Sequence, residues 1–216
     1  MAEVNLLRSL PQGKRNVQAR ETAKTEEHIR VSKEYGETYF DGPREYGYGG
    51  YSYDGRWFPV AADIIEHFGL QPGDRVLDVG CAKGFLVKDL LAAGIDAYGV
   101  DVSEYALMNC EPEVVGRLQI GSAERLPFPD GSFAAVLSLN TIHNLARPAC
   151  ITAVREIERL APGKGFIQVD SYRTPEQKEI FESWVLTAEF YDYPDGWVAL
   201  FEEAGYMGDY YWTIIQ

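Results

Sequence analysis

Two carboxylates 23 residues apart each close a short apolar run: Asp78 in Arg75-Val76-Leu77-Asp78-Val79 and Asp101 in Tyr98-Gly99-Val100-Asp101-Val102. The first run continues through Gly80-Cys81-Ala82-Lys83-Gly84 into a helical pattern with Phe85, Leu86, Leu90 and Leu91 on one face. Glycine lets backbone approach a ligand closely, and a carboxylate at a strand end can accept hydrogen bonds from both vicinal hydroxyls of a ribose. Asp78, Gly80, Cys81, Ala82, Gly84, Asp101 and Val102 therefore read as a nucleoside cradle. A pyrophosphate binder wants Gly-x-Gly-x-x-Gly, and here those positions are Gly80, Ala82 and Phe85, with the negative Asp78 beside the turn. An anion is repelled there and a cation welcomed. A nicotinamide oxidoreductase is accordingly the weakest of the function classes open to the chain.

A second set of groups lies further along. Phe133-Ala134-Ala135-Val136-Leu137-Ser138-Leu139 reads as a strand ending in Asn140-Thr141-Ile142-His143-Asn144, and Gly165 to Asp170 as another, followed by Ser171-Tyr172-Arg173. In an open α/β sheet, ligands sit at the carboxyl ends of strands. Asn140 is expected beside the cofactor, and His143, Asp170, Tyr172 and Arg173 beside an acceptor. Of the three histidines only His143 falls at a strand end, which makes it the candidate base or hydrogen-bonding group; packing against the following helix is the competing role. Six of the 14 tyrosines lie between Tyr35 and Tyr53 and five between Tyr191 and Tyr211. Aromatic rings with polar tips suit a half-apolar pocket. The Gly/Tyr-rich stretch 35–57 is read as a lid that brings Tyr48 to the acceptor and Tyr53, Arg56 and Trp57 to the cofactor, with Arg56 on a carboxylate; a segment merely packed on the surface is the alternative.

The stretch Leu77-Asp78-Val79-Gly80-Cys81-Ala82-Lys83-Gly84 resembles motif I of the class I S-adenosylmethionine-dependent methyltransferases, with Ala82 in place of the usual middle glycine. Asp101 matches the ribose-binding acid of that family. Gly121-Ser122-Ala123-Glu124-Arg125-Leu126-Pro127-Phe128 is similar to its adenine-side loop, so Ser122, Ala123 and Glu124 are implied along the adenine ring. The resemblance implies S-adenosyl-L-methionine as cofactor and S-adenosyl-L-homocysteine as product. It implies a Rossmann-like, seven-stranded, mostly parallel sheet with helices on both faces and a C-terminal antiparallel hairpin. Residues 1–57 would then be an arm and lid, and 58–216 the methyltransferase domain. The expected reaction is O- or N-methylation of a small polar acceptor such as a sugar, nucleotide sugar or natural-product intermediate. A non-catalytic partner that binds the cofactor is the alternative.

Alternating strand and helix patterns carry this fold. Strands are expected at Val76–Val79, Asp96–Val100, Leu118–Ile120, Ala134–Leu139, Gly165–Asp170 and Tyr210–Ile215. Helices are expected at Pro59–Phe68 ahead of Gly69, Phe85–Ala93, Glu104–Cys110 with Ser103 as N-cap, Ala149–Leu160, Pro175–Ala188 and Pro194–Ala204, with a helical tendency over Glu21–Lys33. The stretch 35–57 is too rich in glycine for a helix and too irregular for a strand.

Charge and composition exclude other classes. The chain has 20 basic and 33 acidic side chains, net −13, which disfavours a nucleic acid substrate because such binding draws on cationic contacts to phosphate. Residues 1–33 hold seven basic and four acidic groups, so a basic arm precedes an acidic domain; it folds back on that domain, meets a neighbouring subunit of a homo-oligomer, or stays a loose tail. Three scattered cysteines make neither a disulfide framework nor a metal site. The absence of an 18-residue apolar run argues against a membrane span, and Val4–Leu10, interrupted by Arg8, lacks a signal peptide's apolar segment. The expected location is the cytoplasm.

Overall fold

The computed structural model describes residues 1–11 and 24–214. Six strands, β1 (Arg75–Val79), β2 (Asp96–Asp101), β3 (Leu118–Ile120), β4 (Ala135–Leu139), β5 (Gly165–Ser171) and β6 (Asp209–Ile214), form one sheet in the order β3-β2-β1-β4-β5-β6, every neighbouring pair parallel. Along β1 and β4 alternate residues enter two cores. Leu77, Val79 and Val136 face one cluster with Ile157, Trp197 and Phe201, while Val76, Ala135 and Leu137 face another with Ile64, Leu86 and Leu90. Strands covered on both faces are apolar on both parities, which is why they read as near-continuous hydrophobic runs.

The helices that cover the sheet start and stop where the chain supplies the chemistry. α1 (Glu26–Ser32) is capped by Thr25, and the short α2 (Glu37–Phe40) follows it. α3 (Phe58–Phe68) ends at Gly69, whose φ of 65° takes the left-handed turn that a glycine accepts without strain. α4 (Phe85–Ala92) follows the glycine turn; α5 (Glu104–Met108) is capped by Ser103, whose hydroxyl accepts from the Ala106 amide. α6 (Arg147–Leu160), α7 (Pro175–Trp184) and α8 (Pro194–Ala204) each carry proline in the first turn, where its missing N–H costs nothing.

Two expectations are corrected. Among the described residues the sheet has six strands rather than seven, and β6 runs parallel to β5, in the register Phe166 to Asp209 through Ser171 to Ile214. The physical reason is the connection: α7 and α8 fill the crossover after β5, and a helical crossover returns a strand in the same direction, whereas an antiparallel neighbour needs only a tight turn. The free edge of β6 is met by Glu3, with the Val4 amide donating to the Tyr210 carbonyl (2.8 Å) and the Tyr210 amide to the Ala2 carbonyl (3.0 Å). The second correction concerns 35–57, which holds α2 and a 3-10 turn at Arg44–Tyr46 rather than no helix.

The start of the arm folds back on the domain. Leu6 and Leu7 are buried in the α3/α4 core, Arg8 pairs with Asp63 (2.5 Å), and Arg173 reaches Glu3 (2.9 Å). The helical tendency expected from Glu21 is met by α1 from Glu26; its first residues, with the rest of 12–23, lie outside the described residues. No helix among the described residues is long and apolar enough to cross a membrane. No cluster of three or more metal-ligating side chains occurs among them either.

Candidate active site

Strand order reverses direction between β1 and β4, and the crevice at that switch point is where a parallel sheet admits a ligand. A cavity of about 420 Å³, counting its open mouth, lies there, lined by Asp78, Gly80, Cys81 and Ala82 from the β1 turn, Leu86 from α4, Leu139 and Asn140 from the end of β4, and Tyr48, Tyr51 and Trp57 from the segment 35–57. Gly80 is required at its position: φ is 82°, and a Cβ would land on the Thr141 side chain across the crevice. Gly99 in β2 serves Cys81 in the same way, since a Cβ there would stand 2.6 Å from the thiol. Burial pushes the Cys81 thiol well above its usual range, so it is an inert packing group.

The two carboxylates differ in their partners. Asp101 is tied into the turn: its Oδ2 accepts from the Ala82 amide (2.7 Å) and its Oδ1 from the Ser103 amide (2.8 Å), leaving further lone pairs on each oxygen for hydroxyl donors. Its pKa is raised, burial outweighing those bonds. Asp78 is 5% exposed, and among the described residues no group donates a hydrogen bond to it. Burial, then the negative charge of Asp101, pushes it up to about 7. A buried carboxyl that opens on a cavity with no cation beside it suits an ammonium group, which is the test the implied cofactor must pass, and these residues pass it.

Ala82 holds a φ of 49°, a left-handed conformation that costs an L-residue about 1–2 kcal/mol. Its methyl packs with Phe40 and Ala106 in a small cluster ringed by Tyr35, Tyr39, Tyr51 and Tyr105. The segment 35–57 is held to the turn through Asp41. Lys83, 7% exposed, donates to both Asp41 oxygens (2.9 and 2.7 Å) and to the Tyr51 carbonyl (2.9 Å). The Tyr51 amide (3.0 Å) and the Tyr105 hydroxyl (2.7 Å) complete the cluster, and the Ser103 hydroxyl donates to the Tyr35 carbonyl (2.6 Å). Tyr51 stacks on Phe85, and Tyr48 sits 4.3 Å from Tyr51 between ring centroids.

The remaining residues singled out from sequence are placed as follows. Asn140, at φ 53°, lines the cavity, its side chain held by Gln168, whose Nε2 donates to Asn140 Oδ1 (3.1 Å). Tyr48 lines it too. Gly84 opens α4 against Leu118 and Val114. Val102 is exposed, Ala123 is buried, and Ser122 caps the Glu124 amide (3.2 Å) outside the cavity wall. Tyr53 turns its hydroxyl to Asp89 (2.6 Å), and Arg56 pairs with Asp54 (2.5 Å). Tyr172 is buried against Phe181, Tyr191 and Tyr193, and Arg173 is on the surface.

His143 is 4% exposed, and its Nδ1 accepts from the Asp170 amide (3.2 Å). That bond assigns the proton of the neutral ring to Nε2, and burial, outweighing the Asp170 charge, lowers its pKa. A neutral ring with its lone pair already engaged can donate but is not free to accept a proton. Lys83, Asp41, Tyr51 and Leu139 are not candidate site residues of the sequence analysis, and Leu86 enters it only as part of a helix's apolar face; a lone lysine inside a glycine turn is the local feature that could have pointed to the Asp41 cluster.

Comparison with known proteins agrees with this geometry. Residues 77–169 match the family model described as a methyltransferase domain. An uncharacterized methyltransferase of Synechocystis is 31% identical over 111 residues, covering 50% of this chain and 52% of that protein. A demethylmenaquinone methyltransferase of Beutenbergia cavernae is 32% identical over 51% of this chain and 46% of its own length. The chain thus spans about half the length of the curated relatives it matches. The YcgJ protein of Bacillus subtilis shares the fold at a TM-score of 0.55 and 22% identity, over 67% of this chain and 66% of its own. Motif I and both strand-end carboxylates, Asp78 and Asp101, fall within the matched residues, so this part of the chain is similar to a methyltransferase domain, and its fold is shared with that solved structure.

Proposed function

We propose that this protein transfers a methyl group from S-adenosylmethionine to an oxygen or nitrogen of a small acceptor. The observation that carries the reading is Asp78: a buried carboxyl, pushed up to about 7, facing a cavity at the β1/β4 switch point with no cation supplied by the described residues. Asp78 would hold the ammonium group, Asp101 the ribose hydroxyls, and the 121–124 loop the adenine. The sulfonium supplies an already activated methyl. The chain's own work is therefore alignment and exclusion of water. Tyr48, Tyr51 and Trp57 close the mouth, and the Lys83–Asp41 cluster holds them there. His143 enters as a positioning group that carries the Asp170 backbone, its Nδ1 being already bonded.

Relatives of this chain are named for demethylmenaquinone and for 2-methyl-6-phytyl-1,4-hydroquinone, which adds a hydroxyl-bearing aromatic ring to the sugar and natural-product acceptors that a tyrosine-lined mouth would fit. Calorimetric titration of the full chain with S-adenosylhomocysteine tests the cofactor assignment, and transfer of labelled methyl into fractionated metabolites tests the reaction. Saturable binding lost in Asp78→Asn is expected. Folded protein that takes up neither S-adenosylhomocysteine nor S-adenosylmethionine refutes the proposal.

A further inference from the structure

Beyond the cavity, the carboxyl ends of β4 and β5 carry two acceptors that the protein does not satisfy. Asp170 is 9% exposed, and its Oδ1 is buried without a hydrogen-bond partner. Asn144 presents a buried, unpartnered Oδ1 as well, while its Nδ2 donates to the Asn140 carbonyl (3.2 Å). His143 joins the two: it precedes Asn144 in the chain, and its ring accepts from the Asp170 amide. Leaving such a group unpaired costs free energy, more for a charged one, so each such atom in a folded protein asks for an explanation.

The neighbouring donors are already committed. Gln168 Nε2 is shared between Asn140 Oδ1 (3.1 Å) and Thr213 Oγ1 (2.7 Å), and the Ser171 hydroxyl donates to the Asp192 carbonyl (2.8 Å). Orientation puts Asp170 on the sheet face that carries the cavity, outside its wall. Ile167 and Val169 enter the α6/α8 core, whereas Phe166 enters the α3/α4 core, so Asp170, in step with Phe166 and Gln168, shares the sheet face of Asp78. The Asp170 charge acts, with that of Asp101, on the hydroxyl of Tyr48, a cavity-lining residue.

The geometry points to Asp170 Oδ1 and Asn144 Oδ1 as an acceptor subsite that takes a hydrogen-bond donor, a hydroxyl or a protonated amine, on the molecule to be methylated. This rests on the methyltransferase reading. It makes Asp170 a specificity-determining residue: an acceptor that offers a carboxylate or phosphate at this point is rejected by like charge, and one that offers only apolar atoms leaves both oxygens unpaired.

The test uses the full chain, S-adenosylmethionine labelled in its methyl group, and total aqueous and lipid extract of the cells that make the protein. Asp170→Ala is expected to keep its S-adenosylhomocysteine affinity within about twofold. The extract concentration giving half-maximal labelling should rise about 10- to 100-fold, the range set by one hydrogen bond to a charged group, with a smaller change in the limiting rate. Asp170→Asn keeps an acceptor oxygen and leaves the amide that bonds His143 in place. It should restore most of the labelling if the donor is a hydroxyl and little if the donor is an ammonium. Equal labelling by Asp170→Ala and the natural sequence overturns the subsite, as does an absence of labelling by wild-type protein that binds S-adenosylhomocysteine. Wild-type protein that does not bind S-adenosylhomocysteine fails the underlying reading instead.

Discussion

Substituting Asp41→Asn isolates what holds the tyrosine-rich segment over the cofactor turn. The carboxylate receives Lys83 on both oxygens, the Tyr51 amide and the Tyr105 hydroxyl, and the Lys83 side chain is 9% exposed against 31% for Asp41. A hydrogen bond to a charged group contributes about 1.5–3 kcal/mol, and removing one partner of a fully buried ion pair costs about 3–5 kcal/mol. Asparagine keeps one acceptor and the residual exposure admits water, so about 1.5–3 kcal/mol is expected. That free energy belongs to local opening of 35–57, since β1 and β4 are held by their own ladders. At 1.4 kcal/mol per tenfold, the opening equilibrium should rise about 10- to 100-fold. Native-state hydrogen exchange reads it at the amides of Tyr48 and Gly50, which bond the carbonyls of Tyr39 (2.9 Å) and Phe40 (3.1 Å), with the Gly80 amide on Val100 (2.7 Å) as the control. The pKa of Asp41 is lowered, the hydrogen bonds from Lys83, Tyr51 and Tyr105 outweighing its burial, the largest opposing effect. A depressed carboxylate stabilises above its unfolded value near 4 and loses that contribution as pH falls through the folded value, so acid should speed the same amides in the natural protein. Unchanged exchange at Tyr48 and Gly50 in Asp41→Asn, or equal acceleration at Gly80, refutes the latch.

Two further perturbations follow from the turn. Because Asp78 is raised to about 7, its carboxyl favours the folded protein below the unfolded value near 4, and that contribution is lost as pH rises through 7; a bound ammonium reverses the preference. Binding S-adenosylhomocysteine at pH 7 should therefore release about half a proton, rising toward one by about pH 5, where the ligand's amine is fully protonated, read from calorimetry in buffers of different ionisation enthalpy. Whatever binding Asp78→Asn retains should show no such release; net proton uptake below pH 7, or no pH dependence there, contradicts the ammonium assignment. Ala82→Gly relieves about 1–2 kcal/mol of left-handed strain but gives up a buried methyl of about 0.8 kcal/mol and adds about 0.5–1 kcal/mol of unfolded-state entropy. The contributions nearly cancel, so a net change in stability within about 1 kcal/mol and a melting shift of about 4 °C at most are expected. Its S-adenosylhomocysteine affinity should stay within about threefold, because the methyl packs on Phe40; a tenfold tighter complex would show the methyl facing the ligand instead.

What the sequence made legible follows from how locally each feature is determined. β1, β2 and β4 are apolar because both faces are covered, and α3 and α5 end or begin at residues that cap them, so their limits agree within a residue or two with the pattern. The direction of β6 has no local signal: its residues fit either orientation, and the α7/α8 crossover decides. Tyr172 sits at a strand end in sequence, but its ring closes on Tyr193 (4.6 Å) and Phe181 because the chain returns through 191–193. The Lys83–Asp41 pair joins positions 42 residues apart, and only the folding of α2 over the turn brings them together. Likewise, of the two tyrosine-rich segments, 35–53 reaches the cavity while Tyr206 and Tyr210 are spent packing on Phe201.

Asp78 and Asp101 look interchangeable in sequence, two acids closing two strands, but their partners give them different experimental meanings. Each Asp101 oxygen already accepts a backbone amide, and the one from Ala82 fixes the strained turn whether or not a ligand is present. Asp101→Asn must place its amide nitrogen against one of those donors, so the turn itself should relax and nucleoside binding should fail for reasons that include the protein's own conformation. Asp78 receives no such bond among the described residues, and its charge is a cost that burial imposes on the free protein. Asp78→Asn should therefore leave the free protein at least as stable at pH 8 while removing the attraction for a cation. A loss of binding with undiminished stability is interpretable only at Asp78, which makes it the position where charge recognition and structural support separate.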